Sequence, residues 1–111
     1  MLSKQNRIRK RNEFSYIYRK GKKIHSASFI ICVLHKSDNI KIGFSLSKKR
    51  VGKAVLRNLI KRRLSEIIYK EIELIKPFKI IIQAKENIVN ITYSELQNEI
   101  KKVFRENSLY K

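Results

Sequence analysis

The segment VGKAVLRNLIKRR, residues 51 to 63, carries the side chains with the clearest capacity for chemistry. If the segment is helical, successive residues turn by roughly 100°, and one arc then collects Arg57, Asn58, Lys61, Arg62 and Ser65. Arginine can grip two phosphate oxygens, lysine supplies a point charge, and asparagine both donates and accepts toward a base edge or a 2′-hydroxyl. A solvated face would usually mix both signs of charge, but the only carboxylate nearby is Glu66. The arc is therefore predicted to contact folded RNA.

The opposite arc of the same helix is aliphatic and is predicted to face the core. Its members are Val55, Leu56, Leu59, Ile60, Leu64 and Ile67. Arg63 falls inside this arc, which leaves two accounts open. Either its charged end extends past the edge of the core, or the helix bends there.

Three further cations precede the helix. They are Lys48, Lys49 and Arg50, and Gly52 and Lys53 follow them. The glycine gives the connection backbone freedom, and the positive end of a helix dipole attracts anions. Next to the arc that carries Arg57 and Arg62, this triplet extends the same basic surface.

The charge of the whole chain supports a polyanionic partner. The net charge is +18, and residues 1 to 65 hold nineteen Lys and Arg against two acids, whereas residues 66 to 111 hold eight against seven. Such self-repulsion disfavours the compact state unless a partner neutralises it, and nucleic acid rewards clustered cations by releasing counterions. An anionic membrane is the rival partner. It is disfavoured because no apolar run approaches the roughly 20 residues of a spanning helix.

The first half of the chain is predicted to hold an arm, a helix and two strands. Residues 1–11 read as a flexible basic arm, and a helix follows from Asn12, as its N-cap, to Gly21. Residues 28–35 and 40–47 read as strands that form a hairpin, the first of them covered on both faces. The apolar face of the helix is formed by Phe14, Ile17 and Tyr18.

The second half is predicted to add two helices and one strand. The basic helix runs from about Lys53 until Pro77 forbids its continuation, and residues 78–85 form a strand. A capping box at Thr92 and Glu95 begins the last helix. Its apolar stripe is Leu96, Ile100, Val103 and Phe104. The order α-β-β-α-β-α describes a single α+β domain, with helices packed on one small sheet.

No independent catalytic or metal site is predicted. His25 and His35 have no partner at metal-ligand spacing, and Cys32 in an apolar strand is typical of a small buried hydrophobe. A metal-dependent nuclease would need at least two acids at strand ends near its basic face. The only acids before residue 66 are Glu13 and Asp38, so unaided catalysis is not expected. One cysteine permits no internal disulfide, and the opening residues lack the apolar centre of a signal peptide, so a cytoplasmic protein is expected.

In the order of these features the chain resembles the bacterial ribonuclease P protein family, over nearly its whole length. The most specific part is the signature A-V-x-R-N-x-x-K-R, which matches at Ala54, Val55, Arg57, Asn58, Lys61 and Arg62, and it follows S-x-S-K-K at Ser45, Ser47, Lys48 and Lys49. The resemblance implies the protein subunit of an endoribonuclease that removes the 5′ leader from precursor transfer RNA. Its RNA subunit would hydrolyse the phosphodiester with bound Mg²⁺. The implied partners are this catalytic RNA and precursor transfer RNA, with no membrane and no obligate protein partner.

The resemblance also assigns two surfaces. The predicted RNA-binding residues are Lys48, Lys49, Arg50, Lys53, Arg57, Asn58, Lys61, Arg62 and Arg63. A cleft between the first helix and the sheet would pass the single-stranded leader over Phe14, Tyr18 and Phe29, whose rings can stack on bases without reading sequence. Two positions depart from the family: Ser65 replaces an arginine, and Cys32 replaces an aromatic residue that relatives often place there.

The family further implies a left-handed β-α-β crossover between residues 40–47 and 78–85, as in a domain of some ribosomal proteins. General rules would favour the right-handed form.

Two other functions stay open on the sequence. A ribosomal or ribosome-assembly protein would bind structured RNA without stimulating leader removal at low Mg²⁺. A cationic membrane-surface protein would bind anionic vesicles even in competition with RNA.

Overall fold

The most apolar segments of the chain form a four-stranded sheet, seen in a computed structural model that describes residues 4–111. The strands are β1 (Lys22–His25), β2 (Phe29–Leu34), β3 (Lys41–Ser45) and β4 (Lys79–Ala84). The helices are α1 (Arg11–Lys20), α2 (Lys48–Val51), α3 (Ala54–Glu71) and α4 (Tyr93–Glu106). Short 3-10 helices span Lys4–Asn6, Ile72–Leu74 and Glu86–Asn90. The predicted α+β class and mixed sheet are confirmed.

The strand order is β1-β2-β4-β3, with β2 and β4 antiparallel and β3 and β4 parallel. The predicted hairpin of residues 28–35 with 40–47 is therefore wrong, because β4 lies between β2 and β3. Both β2 and β4 are apolar along most of their length and are covered on two faces, which suits the central positions. The hairpin partner of β2 is β1. The pattern analysis missed β1 because Ile24 is its only apolar residue.

The unit formed by β3, α3 and β4 is the expected β-α-β connection between parallel neighbours. The left-handed sense of its crossover stays a prediction from the resemblance. The connection brings the carboxyl end of β3 and the start of α2 to the same edge of the sheet as the carboxyl end of β4.

Helices cover both faces of the sheet. On one face, α3 and α4 bury their apolar stripes against Ile31, Val33 and Ile80. The stripe of α4 is the predicted one, Leu96, Ile100, Val103 and Phe104, and all four are buried. On the other face, α1 packs through Ile17 against Cys32 and Ile81. The strand β2 is thus covered on both faces, as predicted.

The helix ends follow the predictions only in part. In α4 the capping box is complete, because Glu95 N–H donates to the Thr92 hydroxyl over 3.1 Å and Thr92 N–H donates to the Glu95 carboxylate over 2.9 Å. In α1, by contrast, the N-cap is Lys10 with no side-chain hydrogen bond, so the predicted cap at Asn12 is wrong. The end of α3 at Glu71 precedes Pro77 by six residues.

Residues 4–10 of the predicted basic arm lie against the sheet, and the flexibility of the arm stays a prediction. Arg7 pairs with Ile42 in a parallel bridge, and Ile8 N–H donates to the Ile42 carbonyl over 2.9 Å. Ile8 is buried with α1. An edge strand such as β3 offers unpaired backbone groups, and the arm uses them. Residues 1–3 of the predicted arm lie outside the described residues.

Candidate nucleic-acid interface

The outer face of α3 presents cations without matching acids. The helix buries Ile60, Leu64, Ile67 and Ile68, at spacings of four, three and one that keep one stripe inward. The residues Asn58, Lys61 and Arg62 are exposed, as predicted. Among residues 4–111 the ion pairs join Glu13 to Lys41 and Lys79, and Glu66 to Lys70. The cations of residues 48–63 therefore pair with no carboxylate of residues 4–111, and their charge is available to an external anion.

Arg57 makes a hydrogen bond within the protein itself. Its guanidinium donates to the carbonyl oxygen of Gly52, the residue that joins α2 to α3. Gly52 adopts a positive φ of 87°, a conformation that glycine takes without steric cost. Since arginine has five N–H donors, Arg57 can hold this turn and still offer donors to a phosphate.

Val55 and Leu56 do not belong to the core, so that part of the predicted apolar arc is wrong. Val55 is 76 % exposed and Leu56 is 36 % exposed. The buried stripe begins only at Ile60, because the first turn of α3 extends beyond the packed elements. Val55 precedes Asn58 by three residues and Arg62 by seven, so it shares their face.

Arg63 is half-buried and lies within an uninterrupted α3. The helix therefore continues through this position, which favours the account in which the charged end extends past the core edge. Ser65, the first departure from the family pattern, is also half-buried. It offers a hydroxyl but no charge.

The helix α2 displays the predicted cation triplet at the edge of the sheet. Ser47 caps it by accepting a hydrogen bond from Arg50 N–H over 3.1 Å, and Val51 anchors it in the core. Lys48, Lys49 and Arg50 are exposed. So is Lys53, the N-cap of α3, whose side chain makes no capping bond. Four exposed lysine and arginine residues thus precede the first turn of α3 along the chain.

An open depression of about 630 Å³ lies beside α2. Its lining joins the cation triplet to the 3-10 helix that follows β4: Lys49, Arg50, Lys85, Glu86 and Asn87. The sequence analysis missed Lys85 and Asn87, because they are 35 residues or more away along the chain and belong to no recognisable motif. Only the β-α-β connection, which ends β3 and β4 at one edge, brings them to this surface.

The predicted cleft between α1 and the sheet contains two of its three aromatic residues. Phe14 and Tyr18 are half-buried and pack with Ile17 and Cys32. The ring of Phe14 lies directly on Gly43 of β3, where a Cβ atom would come within 2.8 Å of the ring. Glycine at this position therefore lets the aromatic ring approach the strand backbone.

Phe29 is not part of this cleft, and its assignment there is wrong. It is fully buried among the residues that face α3 and α4. Side chains alternate along a strand, so Phe29 and Ile31 point to one face of β2, whereas Ile30 and Cys32 point to the face of α1. The β2 residues on the cleft face are therefore Ile30 and Cys32, and Cys32 is the second departure from the family pattern.

Cys32 has no exposed sulfur to offer. Cys32 is 2 % exposed, and its thiol donates a hydrogen bond to the Ile17 carbonyl over 3.2 Å. Burial raises the pKa of the Cys32 thiol, and the charge of Lys23 opposes this shift. The neutral thiol acts here as a small buried group, as the sequence predicted.

Next to α1, one row of the same sheet face stays open. The strand register aligns Ile30 with Gln83, Gln83 with Ser45, and His25 with Ile30. Facing partners in a register lie on the same side of a sheet. None of these four side chains is fully buried. Sequence patterns could not identify the row, because it depends on the strand order.

No metal-binding arrangement is apparent at this interface: within residues 4–111, no three His, Cys, Asp or Glu side chains lie close enough to hold an ion. His25 is exposed on β1, whereas His35 packs edge-on against Phe78 at 4.9 Å between ring centroids.

Within the described residues 4–111, no helix has the length and hydropathy to cross a membrane.

Comparison with known families gives one match over nearly the whole chain. The sequence model of the Ribonuclease P family matches residues 2–108. Two similar curated proteins are the ribonuclease P protein component of Bacillus velezensis, 32% identical over 99% of this chain and 96% of the relative, and that of Bacillus cereus, 36% identical over 97% and 96%.

Solved structures with the same architecture include the ribonuclease P protein of Staphylococcus aureus. It is 30% identical, with a TM-score of 0.88 over 96% of this chain and 98% of that one. The ribonuclease P protein of Thermotoga maritima has a TM-score of 0.79 over 89% and 96%, at 24% identity, and supports the fold alone.

Proposed function

The chain belongs to the Ribonuclease P protein family, and from this premise we propose that it is the RNA-binding protein subunit of an endoribonuclease that removes the 5′ leader of precursor transfer RNA. Its direct partners are the catalytic RNA of that enzyme and the precursor. The reaction takes place in the cytoplasm. The observation that carries the proposal is the outer face of α3, on which Asn58, Lys61 and Arg62 are exposed. Neither of the two cations pairs with a carboxylate of residues 4–111.

We assign the two faces of the domain to two RNAs. The outer face of α3 points away from the sheet and binds the RNA subunit through phosphates and 2′-hydroxyls. The opposite sheet face, beside α1, accepts the leader. Half-buried Phe14 and Tyr18 supply stacking surfaces, and the row from His25 to Ser45 forms the floor.

The two surfaces meet at α2. The floor of the cleft ends at Ser45, and four residues later Lys49 lines the basic depression. A leader that crosses the cleft would therefore reach Lys49, Arg50 and Lys85. These cations hold its phosphates, whereas the aromatic rings hold its bases, so the leader is bound without regard to sequence.

The protein assists catalysis by electrostatics. Its cations neutralise phosphates of two RNAs that would otherwise repel each other. The substrate therefore docks at a lower Mg²⁺ concentration. Magnesium acts through the RNA subunit in this proposal, which assigns no metal ion to the protein. The chain's own groups bind and orient the RNAs and take no part in breaking the phosphodiester.

Reconstitution tests this function. The purified protein, a bacterial ribonuclease P RNA and a precursor transfer RNA are mixed at a Mg²⁺ concentration at which the RNA alone is slow. We expect the protein to accelerate release of the leader. Arg62→Ala should lose most of the acceleration at limiting protein, whereas Arg105→Ala, an exposed arginine on α4, should retain it. Tight RNA binding without acceleration would instead indicate a ribosome-assembly protein.

A further inference from the structure

The first two turns of α3 carry an apolar strip, formed by Val55, Leu56 and Leu59, on the surface of the domain. Val55 is 76 % exposed, Leu56 is 36 % exposed and Leu59 is half-buried. Val55 and Leu59 are four residues apart, so their side chains are neighbours on the helix surface. None of these residues belongs to a buried cluster. The strip is therefore a surface feature rather than the margin of the core.

Polar and cationic side chains flank the strip on both sides. At helical spacing, Asn58 and Arg62 lie along one edge, three and seven residues after Val55. Arg63 lies beyond the other end, four residues after Leu59. The nearest carboxylate along α3, Glu66, is paired with Lys70 over 3.4 Å. An isolated exposed aliphatic residue needs no explanation, but this strip lies in a helix whose exposed residues include Lys61 and Arg62.

We propose that the strip packs against an unpaired nucleobase of the RNA subunit, next to the phosphates that Arg62 and Arg63 hold. This inference rests on the proposed function and adds an apolar contact to it. The surrounding charge selects a polyanion. Within RNA, the base faces are the apolar parts, and they become accessible where bases are unpaired. A phosphate on the strip would lose hydration without gaining a hydrogen bond, so the base occupies it.

The test is Val55→Ala, compared with Leu74→Ala. Leu74 is also a strongly exposed aliphatic residue, 59 % exposed, but it lies past the far end of α3, roughly 25 Å away at 1.5 Å per residue. Binding of each variant to a bacterial ribonuclease P RNA, transcribed in vitro, is measured across a salt series. Val55→Ala should bind roughly tenfold more weakly, from about two lost methylene equivalents. Leu74→Ala should bind like the unaltered protein.

The salt dependence separates this contact from the ionic ones. Because an apolar contact releases no counterions, Val55→Ala should leave the slope of log K against log salt unchanged. Arg62→Ala should make that slope shallower by roughly 1. Alanine is a better helix former than valine, so Val55→Ala should not lower the melting temperature.

Each other outcome has a distinct meaning. If Arg62→Ala weakens binding but Val55→Ala does not, the apolar contact is refuted and the proposed function stands. If neither variant matters, the assignment of α3 to the RNA subunit fails as well. If Val55→Ala instead weakens binding of precursor transfer RNA to the assembled enzyme, or uptake by phosphatidylglycerol vesicles, the strip has another partner and the proposal is overturned.

Discussion

The substitution Phe29→Leu distinguishes a core role from a leader-binding role for the only aromatic residue of β2. Phe29 is 0 % exposed and lies among residues that face α3 and α4. If it is a core residue, the substitution should lower the free energy of unfolding and leave leader recognition by the folded protein intact. If it lined the cleft, leader recognition should fall with little change in stability.

The expected size of the effect follows from burial. Truncating a fully buried phenylalanine to alanine costs about 3–5 kcal/mol, a large part of the ~5–15 kcal/mol that stabilises a domain of this size. Leucine keeps most of the apolar contact, so Phe29→Leu should cost about 1–2 kcal/mol. For a domain of about 110 residues, this corresponds to a decrease in melting temperature of roughly 5–10 °C.

The assay pairs thermal unfolding with leader recognition. Leader recognition is the ratio of affinities of the assembled enzyme for precursor and mature transfer RNA, measured well below the melting temperature. The matched variant is Phe14→Leu, because Phe14 is half-buried in the cleft. It should reduce the ratio and cost less stability than Phe29→Leu. The reasoning is refuted if Phe29→Leu lowers the ratio while the melting temperature stays unchanged.

Two further substitutions and one alkylation experiment test which contacts stabilise the fold. Thr92→Ala removes one half of the α4 capping box and should cost about 1 kcal/mol of unfolding free energy; no change in denaturant midpoint would contradict the cap. The Glu99 carboxylate accepts from Ser28 N–H over 2.9 Å, so Glu99→Gln should cost about 1–2 kcal/mol, whereas the exposed Glu106→Gln should be neutral. Because burial raises the pKa of Cys32, its native thiol should resist iodoacetamide at pH 8 and react once urea unfolds the chain. Rapid alkylation of the native protein would contradict this burial. The same pKa shift favours the protonated thiol in the native state, so the free energy of unfolding should fall as pH rises past the ordinary thiol pKa of about 8.5.

Much of the architecture could be predicted from local patterns. Strict alternation identified β3, continuous apolar runs identified β2 and β4, and helical spacing identified α3 and α4. The capping box fixed the start of α4 because both of its hydrogen bonds are local. Strand order could not be predicted in this way, since pairing depends on contacts between distant segments. The predicted hairpin was wrong for this reason.

The candidate site shows the same division. The charge and spacing of Asn58, Lys61 and Arg62 follow from the sequence, because an exposed helix face needs only local periodicity. The sequence could not determine where the core stripe of α3 begins, and so it placed Val55 inside. It also could not tell which face of β2 Phe29 occupies, because alternation gives two equivalent faces until a neighbouring element covers one of them.

By itself, the sequence determined the basic surface, the three longer helices α1, α3 and α4, and the family, all of which depend on residue order within short segments. The short helix α2 was predicted only as a connection. The tertiary structure decided which faces meet. Insertion of β4 between β2 and β3 brings Lys85 to the same depression as Lys49 and aligns Gln83 between Ile30 and Ser45. The packing of α3 leaves Val55 at the surface. These arrangements arise from packing between segments far apart in the chain, and no local pattern encodes such packing.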